Sequence, residues 1–485
     1  MRKKILVCST FLLLLTLGFK NNQNQNDLWI QDFEVLKAQM TKSYANLKSI
    51  VNEESIDLAR LNTKTISELK LAKTKREAQI VIESFLRKFK DGHLSATVIN
   101  TSSSNNTSNE RNDFPLSTDS TAVALKKMGF FIDTYGANIK FDSVPGYLAL
   151  INKNNSFHTA VIETSLGKIG TIKLPYFYNE GYWNTPYKMW DSYKKEFKGE
   201  CDEECQKNFK YKLEKQFTKQ FVERIEELKA KNISKLLIDV TGNNGGSGWF
   251  EEIAHLLSDK PKLEYMPSFI IKHNHWKKSL EEDLKIIGID LANDELNESL
   301  KLKLLKLKEL AESLIVKCKS NCSSQNVWDS NKIDCLKLIR HPYQSDLPFD
   351  IMTDSQFMLL QSKNLLTASR FRPFKRGAYS GPLYIVQDRQ SASATEGFSS
   401  LLQFNNAATI VGRTSYGAGC GYTNGGIKTT LNHIGLSIKM PDCVRLRADG
   451  KNEVYGIKPD IKVNWRRISD SPSKKGQLVI ESIIR

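Results

Sequence analysis

Early in the chain, apolar residues recur near helical spacing. Leu28, Ile30, Phe33, Leu36, Met40 and Leu47 form one series, and Ile80, Ile82, Phe85, Leu86 and Phe89 form another. Such spacing puts side chains on one face of a helix, so residues 27–95 are expected to be a helical region ending at Asp91-Gly92-His93. The pattern then changes. The polar run TSSSNNTSNERN at 101–112 reads as a loop, and Ile169 to Leu174 reads as a strand followed by an aromatic stretch, Tyr176 to Trp183. A charged amphipathic helix is expected over 207–230. Two short buried strands, 236–240 and 382–387, each lead through a turn into a helix, and further strands are expected at 408–412 and 435–440. Between the two strand–turn–helix units lies a Lys/Leu-rich, mostly helical insertion, about 258–375.

Composition narrows the class. The 485 residues are 40% hydrophobic, enough for a core of more than one layer. Arg2, Lys3 and Lys4 precede an apolar run from Ile5 to Leu17 that is short for a bilayer. Residues 1–18 are read as an export signal and 19–26 as a polar tether, with an uncleaved anchor as the alternative. The mature protein is expected outside the cytoplasm, in the periplasm, the envelope or beyond. The net charge of +16, from 70 basic and 54 acidic residues, is scattered through amphipathic segments. No nucleic-acid module accompanies it, so neither nucleic acid nor a further membrane span is expected. Cysteine usage fits export: Cys201/Cys205, Cys318/Cys322, Cys335, Cys420 and Cys443 are natural disulfide formers outside the cytoplasm. Cys318, Cys322, Cys335 and His341 also have spacings compatible with a zinc site, but no metal or other cofactor is expected.

Two turns could carry chemistry. A serine between strand and helix, as Ser393 is, exposes its hydroxyl where free N–H groups and the helix dipole favour an oxyanion. The plainer reading is that Ser391, Ser393 and Thr395 cap the helix, with Glu396 in its first turn. The turn Thr241-Gly242-Asn243-Asn244-Gly245-Gly246 lets backbone approach a substrate closely and has no Walker lysine.

Together these segments resemble the tail-specific, C-terminal-processing serine peptidases, in their tricorn-like and retinoid-binding-protein-like branch. DVTGNNGG at 239–246, SASATE at 391–396, Ile410 to Thr414 with Tyr416-Gly417, and Glu453, Gly456, Pro459 and Asp460 follow one another in family order. The resemblance implies an α/β (α+β) fold with a ClpP/crotonase-like core over 166–465. That core would be preceded by a connecting region, 96–165, expected to be β-rich and without a PDZ signature, and followed by a tail, 466–485. It implies hydrolysis of peptide bonds in unfolded polypeptides or chain ends, with Ser393 as nucleophile. The Ser/Lys branch keeps a lysine directly after its Tyr-Gly pair, where this chain has Ala418; Lys428 falls outside the motif. His93 is therefore the expected base, with Glu453 to orient it and N–H groups of Gly245, Gly246 and Ala394 to hold the oxyanion. A non-catalytic member that binds peptide or an apolar ligand is the rival reading. Oligomeric state is not legible.

Overall fold

A computed structural model describes residues 24–99, 120–131, 138–152, 155–196, 200–260, 263–318, 323–335, 337–341, 354–362, 365, 376–422, 425–466 and 469–484. The expected export signal and the 101–112 loop lie outside the described residues.

The central element is a seven-stranded sheet in the order β13-β9-β8-β5-β4-β3-β2. Its strands are β2 (Tyr147–Leu150), β3 (Thr159–Thr164), β4 (Gly167–Lys173), β5 (Lys235–Asp239), β8 (Leu383–Gln387), β9 (Thr409–Gly412) and β13 (Ile461–Lys462). The neighbours from β4 to β13 are parallel, while β3 and β2 add on antiparallel. Both faces are covered, which is why the central strands read as continuous apolar runs. Leu236, Ile238, Ile385 and Ile410 face one core, shared with the helices Glu203–Lys229, Trp249–Leu257 and Ala394–Phe404. Leu237, Val386 and Val411 face the other, closed by Val479, Ile480 and Ile483 of the helix Pro472–Ile483. The segment read as a tail is thus a structural layer. Strands β2 and β3, read as part of a connecting region, belong to the central sheet.

The N-terminal helices, Gln25–Ser43, Leu47–Glu53, Leu58–Leu71 and Lys75–Arg87, form the expected helical region. Asp57 caps one by accepting from the Arg60 N–H at 3.0 Å, and Thr74 caps another through the Glu77 N–H at 3.2 Å. They pack on a three-stranded sheet, β1 (Ser95–Val98), β11 (Leu436–Met440) and β10 (Ile427–Leu431), in the order β1-β11-β10. Phe33, Met40, Phe85 and Phe89 meet Leu431, Leu436, Ile438 and Met440 in one core.

The insertion enters that same core. Trp328, on the short helix Ser324–Ser330, is 1% exposed, and its indole N–H donates to Thr41 Oγ1 at 2.8 Å. Strands β6 (Ser268–Ile271) and β7 (Leu338–Arg340) pair with β12 (Cys443–Arg445) in the order β12-β6-β7. The insertion is therefore wired into the fold at two points. Trp328→Ala should cost about 3–5 kcal/mol by emptying a packed site, read as a lower midpoint in thermal or urea unfolding. Trp328→Phe should recover much of it.

Candidate active site

The site is built where β5 and β8 end side by side. The Ser391 hydroxyl donates to the Val240 carbonyl at 2.8 Å, the Ala392 N–H to the Asn243 carbonyl at 3.0 Å, and the Gly242 N–H to Asp388 Oδ1 at 3.0 Å. These bonds stitch the two turns into one unit. At its apex Ser393 has φ 56° and ψ −116°, a backbone state costing roughly 1–3 kcal/mol for a side chain with a Cβ. Gly245 (φ +103°) lies directly against it. A Cβ there would sit 2.8 Å from the Ala392 carbonyl oxygen, the Ala394 nitrogen and Ser393 Cβ, so only glycine permits this approach.

The two glycines differ in their N–H groups. Gly245 donates its own to Asn243 Oδ1 at 2.9 Å, so that donor is already used. The N–H groups of Gly246 and Ala394 have no acceptor among the described residues. Of the two glycines expected to hold an oxyanion, Gly246 has the open donor, and Gly245 sets the spacing.

Glu396, which the sequence places only in the helix's first turn, is the centre of the site's hydrogen bonding. It is fully buried. Oε1 accepts from the Ser415 hydroxyl at 2.5 Å and the Gly417 N–H at 2.8 Å; Oε2 accepts from the Ser393 N–H at 2.9 Å and the Ala418 N–H at 2.8 Å. Burial pushes the carboxyl up to about 7, against the pull of these four donors. The carboxylate thereby binds the Ser393 turn to the loop 415–418.

That loop is also where His93 rests. The imidazole lies on Gly421, where a Cβ would come 2.3 Å from its Cε1, and beside the Tyr422 ring at 4.6 Å between centroids. The Tyr422 hydroxyl donates to the His93 carbonyl. Cys420 and Cys443 form a disulfide that ties this loop to β12. On its other side, the His93 backbone N–H donates to Asp91 Oδ1 at 2.9 Å. Asp91 Oδ2 accepts from Tyr44 and Asn46, each at 2.8 Å, and Asn46 in turn accepts from Asn452 at 2.8 Å. Burial lowers the His93 pKa, and the charges of Lys439 and Arg445 lower it further. Asp91 and the backbone of Ala418 oppose this. The net result is a neutral imidazole at pH 7, able to accept a proton.

Glu453 is fully buried, and its Oε2 is held by the Arg445 Nε at 2.6 Å. Burial raises its carboxyl, with Arg445 pulling the other way. Among the described residues it makes no hydrogen bond to His93; the carboxylate nearest in effect to the imidazole is Asp91. Nor do Ser393 and His93 bond directly among the described residues. They are joined through Glu396 and Ala418. Ala418 is buried, while Lys428 is exposed on β10. A lysine base needs desolvation, which Lys428 lacks. Asp460, in the closing motif, accepts from the Ile410 N–H at 2.7 Å and from Gln403 at 2.8 Å, a structural duty. Cys335 is disulfide-bonded, which removes a thiolate from the zinc alternative.

Arg445 and Glu396 escaped the sequence reading. The signal for Glu396 was its place at the head of a helix whose Phe398, Leu401 and Leu402 face the core.

The description "Peptidase family S41" matches residues 168–463. No curated protein sequence matches the chain. Among solved structures, mature CPAF is 16% identical, with 93% of this chain and 95% of that chain covered and a TM-score of 0.54. Mature CPAF complexed with lactacystin is 14% identical, covering 95% and 97%, with a TM-score of 0.52. At such identities the likeness is one of fold.

Glu396→Gln replaces an acceptor oxygen by an NH2 group facing N–H donors. It should destabilise by roughly 1–3 kcal/mol in chemical denaturation, the scale for hydrogen bonds to a charged group.

Proposed function

The chain belongs to peptidase family S41, and from that premise we propose that it cuts unfolded polypeptides or exposed chain ends through an acyl-enzyme on Ser393. The observation that carries this reading is the strained Ser393 turn, packed against Gly245 and flanked by the open N–H groups of Ala394 and Gly246. A helix cap needs no such strain.

In the proposed reaction, His93 takes the Ser393 Oγ proton as the oxygen attacks the scissile carbonyl carbon. The oxygen of the tetrahedral intermediate accepts from Ala394 and Gly246. His93 then passes the proton to the leaving amine, and the C–N bond breaks. Water attacks the ester in the same way and frees Ser393. The imidazolium that forms twice per cycle is offset by Asp91, whose charge favours the cation. We assign Glu453 to the same task at longer range. Its ion pair with Arg445 limits how much of that guanidinium's charge opposes the protonated ring. This extends the expected Ser393, His93 and Glu453 set by one carboxylate.

We read the protein as exported. The disulfides Cys201–Cys205 and Cys420–Cys443 support an oxidising compartment, and no described helix is long and apolar enough to cross a membrane.

Ser393→Ala should reduce hydrolysis of unfolded casein by at least about a thousandfold while the chain stays folded. Wild-type rates in that variant would end the assignment. Glu396, pushed up to about 7 by burial, titrates in the same range, and His93 sets the limb on which the base is lost. Protonation below its folded pKa removes the base, so kcat/KM should fall as pH drops, with a midpoint below the ordinary histidine value of about 6.5. His93→Ala should lose most of the rate, and Lys428→Ala almost none. The reverse outcome would remove His93 from the mechanism and leave the nucleophile in place.

A further inference from the structure

The strand β1 follows His93 almost at once, and in the order β1-β11-β10 it is an edge. Its register with β11 pairs Ser95 with Lys439, Ala96 with Ile438, Thr97 with Ser437 and Val98 with Leu436. The Ile99 N–H donates to the Gly435 carbonyl at 2.9 Å, which extends the same ladder. Hydrogen-bonded pairs alternate along an antiparallel ladder, so Ser95, Thr97 and Ile99 point their backbone groups at β11. The N–H and C=O of Ala96 and Val98 point the other way, toward the free edge. No described strand pairs there.

Beside this edge lies a cavity of about 470 Å³ whose lining mixes the charged Glu83, Arg87, Lys90 and Asp91 with Leu86, Gly92, Leu94, Ala96 and Tyr416. It is therefore continuous with the turn that carries His93. Tyr416 also reaches the nucleophile's turn, donating its backbone N–H to the Ser391 carbonyl at 2.9 Å. Two large side chains stay uncovered at this place: Tyr416 is 54% exposed and Val98 45%.

We propose that β1 is the substrate-binding strand. One extended stretch of the polypeptide substrate adds to its free edge, bonding the backbone of Ala96 and Val98, and lays a side chain toward the cavity beside Tyr416. The proposal rests on the peptidase reading and names how that site takes its substrate. An extended chain presents a backbone N–H and C=O to one side at every second residue, the spacing of Ala96 and Val98. A folded protein has most of its backbone groups already paired, whereas an unfolded segment offers them along its whole length. Backbone pairing thus favours unfolded segments with little demand on sequence.

The test reads binding, so that it is separable from the chemistry. In a Ser393→Ala background, the affinity for a fluorescently labelled, unfolded casein peptide is measured by anisotropy, with and without Val98→Pro. Proline is tolerated on an edge strand where its missing N–H faces outward, so the β1–β11 ladder survives. Val98→Pro should weaken binding about five- to tenfold, the scale of one well-placed hydrogen bond with the packing it orients. Val98→Thr, which keeps the N–H, should bind at least about fivefold more tightly than Val98→Pro. A folded Val98→Pro variant that binds as tightly as its parent overturns the proposal. Should Val98→Pro fail to fold, the same peptide N-methylated at single positions is titrated against the Ser393→Ala protein. Sensitivity at alternate positions is expected, and tolerance at every position overturns the proposal. Wild-type protein that shows this binding pattern but does not hydrolyse the peptide would count against the catalytic roles of Ser393 and His93 and leave β1 standing.

Discussion

A carboxylate sealed from water, with four donors aimed at it, joins the two halves of this site. Glu396 takes the N–H of Ser393 on one oxygen and, between its two oxygens, three further donors from Ser415, Gly417 and Ala418. Hydrogen bonds to a charged group contribute roughly 1.5–3 kcal/mol each, which offsets part of the desolvation that pushes the buried acid up to about 7. The strained backbone of Ser393 persists because its surroundings over-determine it. Its N–H is held by Glu396, its neighbour Ala392 by Asn243, and its flank by a glycine that has no Cβ to push it away. The Ser415 hydroxyl extends the tie, accepting the Ile457 N–H at 2.6 Å and so fixing the closing motif to the same point.

The charges around the imidazole follow from how its loop is held. Lys439 sits 3.7 Å from the Tyr422 ring centroid, and Arg445 lies on β12, to which the Cys420–Cys443 disulfide ties the loop. Both cations work with burial to keep His93 neutral, and Asp91 works against them. As the proposed base, His93 must be neutral at rest and charged in passing, which this opposition serves. Asp91 is itself held by Tyr44 and Asn46 from the N-terminal helices, so those helices position a charge as well as fill a core.

Much of the fold was legible because apolar spacing is a strong signal. The strands at 236–240, 382–387 and 408–412 fall within a residue or two of β5, β8 and β9, and the first helices follow the Phe33 and Phe85 series. Less was legible at the site. Serine followed three residues later by glutamate is a capping pattern, and Glu396 fits it locally; its other donors come from a loop some twenty residues on, which no local pattern reveals. Gly245 was marked for its N–H, whereas its missing side chain is what the geometry uses. Glu453 was matched to His93 by motif, and the guanidinium that holds it, Arg445, lies in a stretch with no motif at all. The insertion was opaque because Lys/Leu repeats show an amphipathic helix but not its partner, and nothing local shows that Trp328, further along the insertion, anchors it in the N-terminal core.

The seat of His93 has a consequence in time. Tyr422, whose hydroxyl holds the His93 carbonyl, is 329 positions further along the chain, and Ile434, whose N–H is held by Asp32, is 402 positions beyond its partner. Contacts so remote in sequence close late and slowly, because a long loop must be ordered before they form. A chain leaving the ribosome presents its histidine early, its serine late, and the loop that brings them together later still. Until nearly the last residues are made, there is no place for the imidazole to rest and no loop for Glu396 to grip. On the proposed reading, topology alone thus withholds competence to cut from the nascent and the truncated chain.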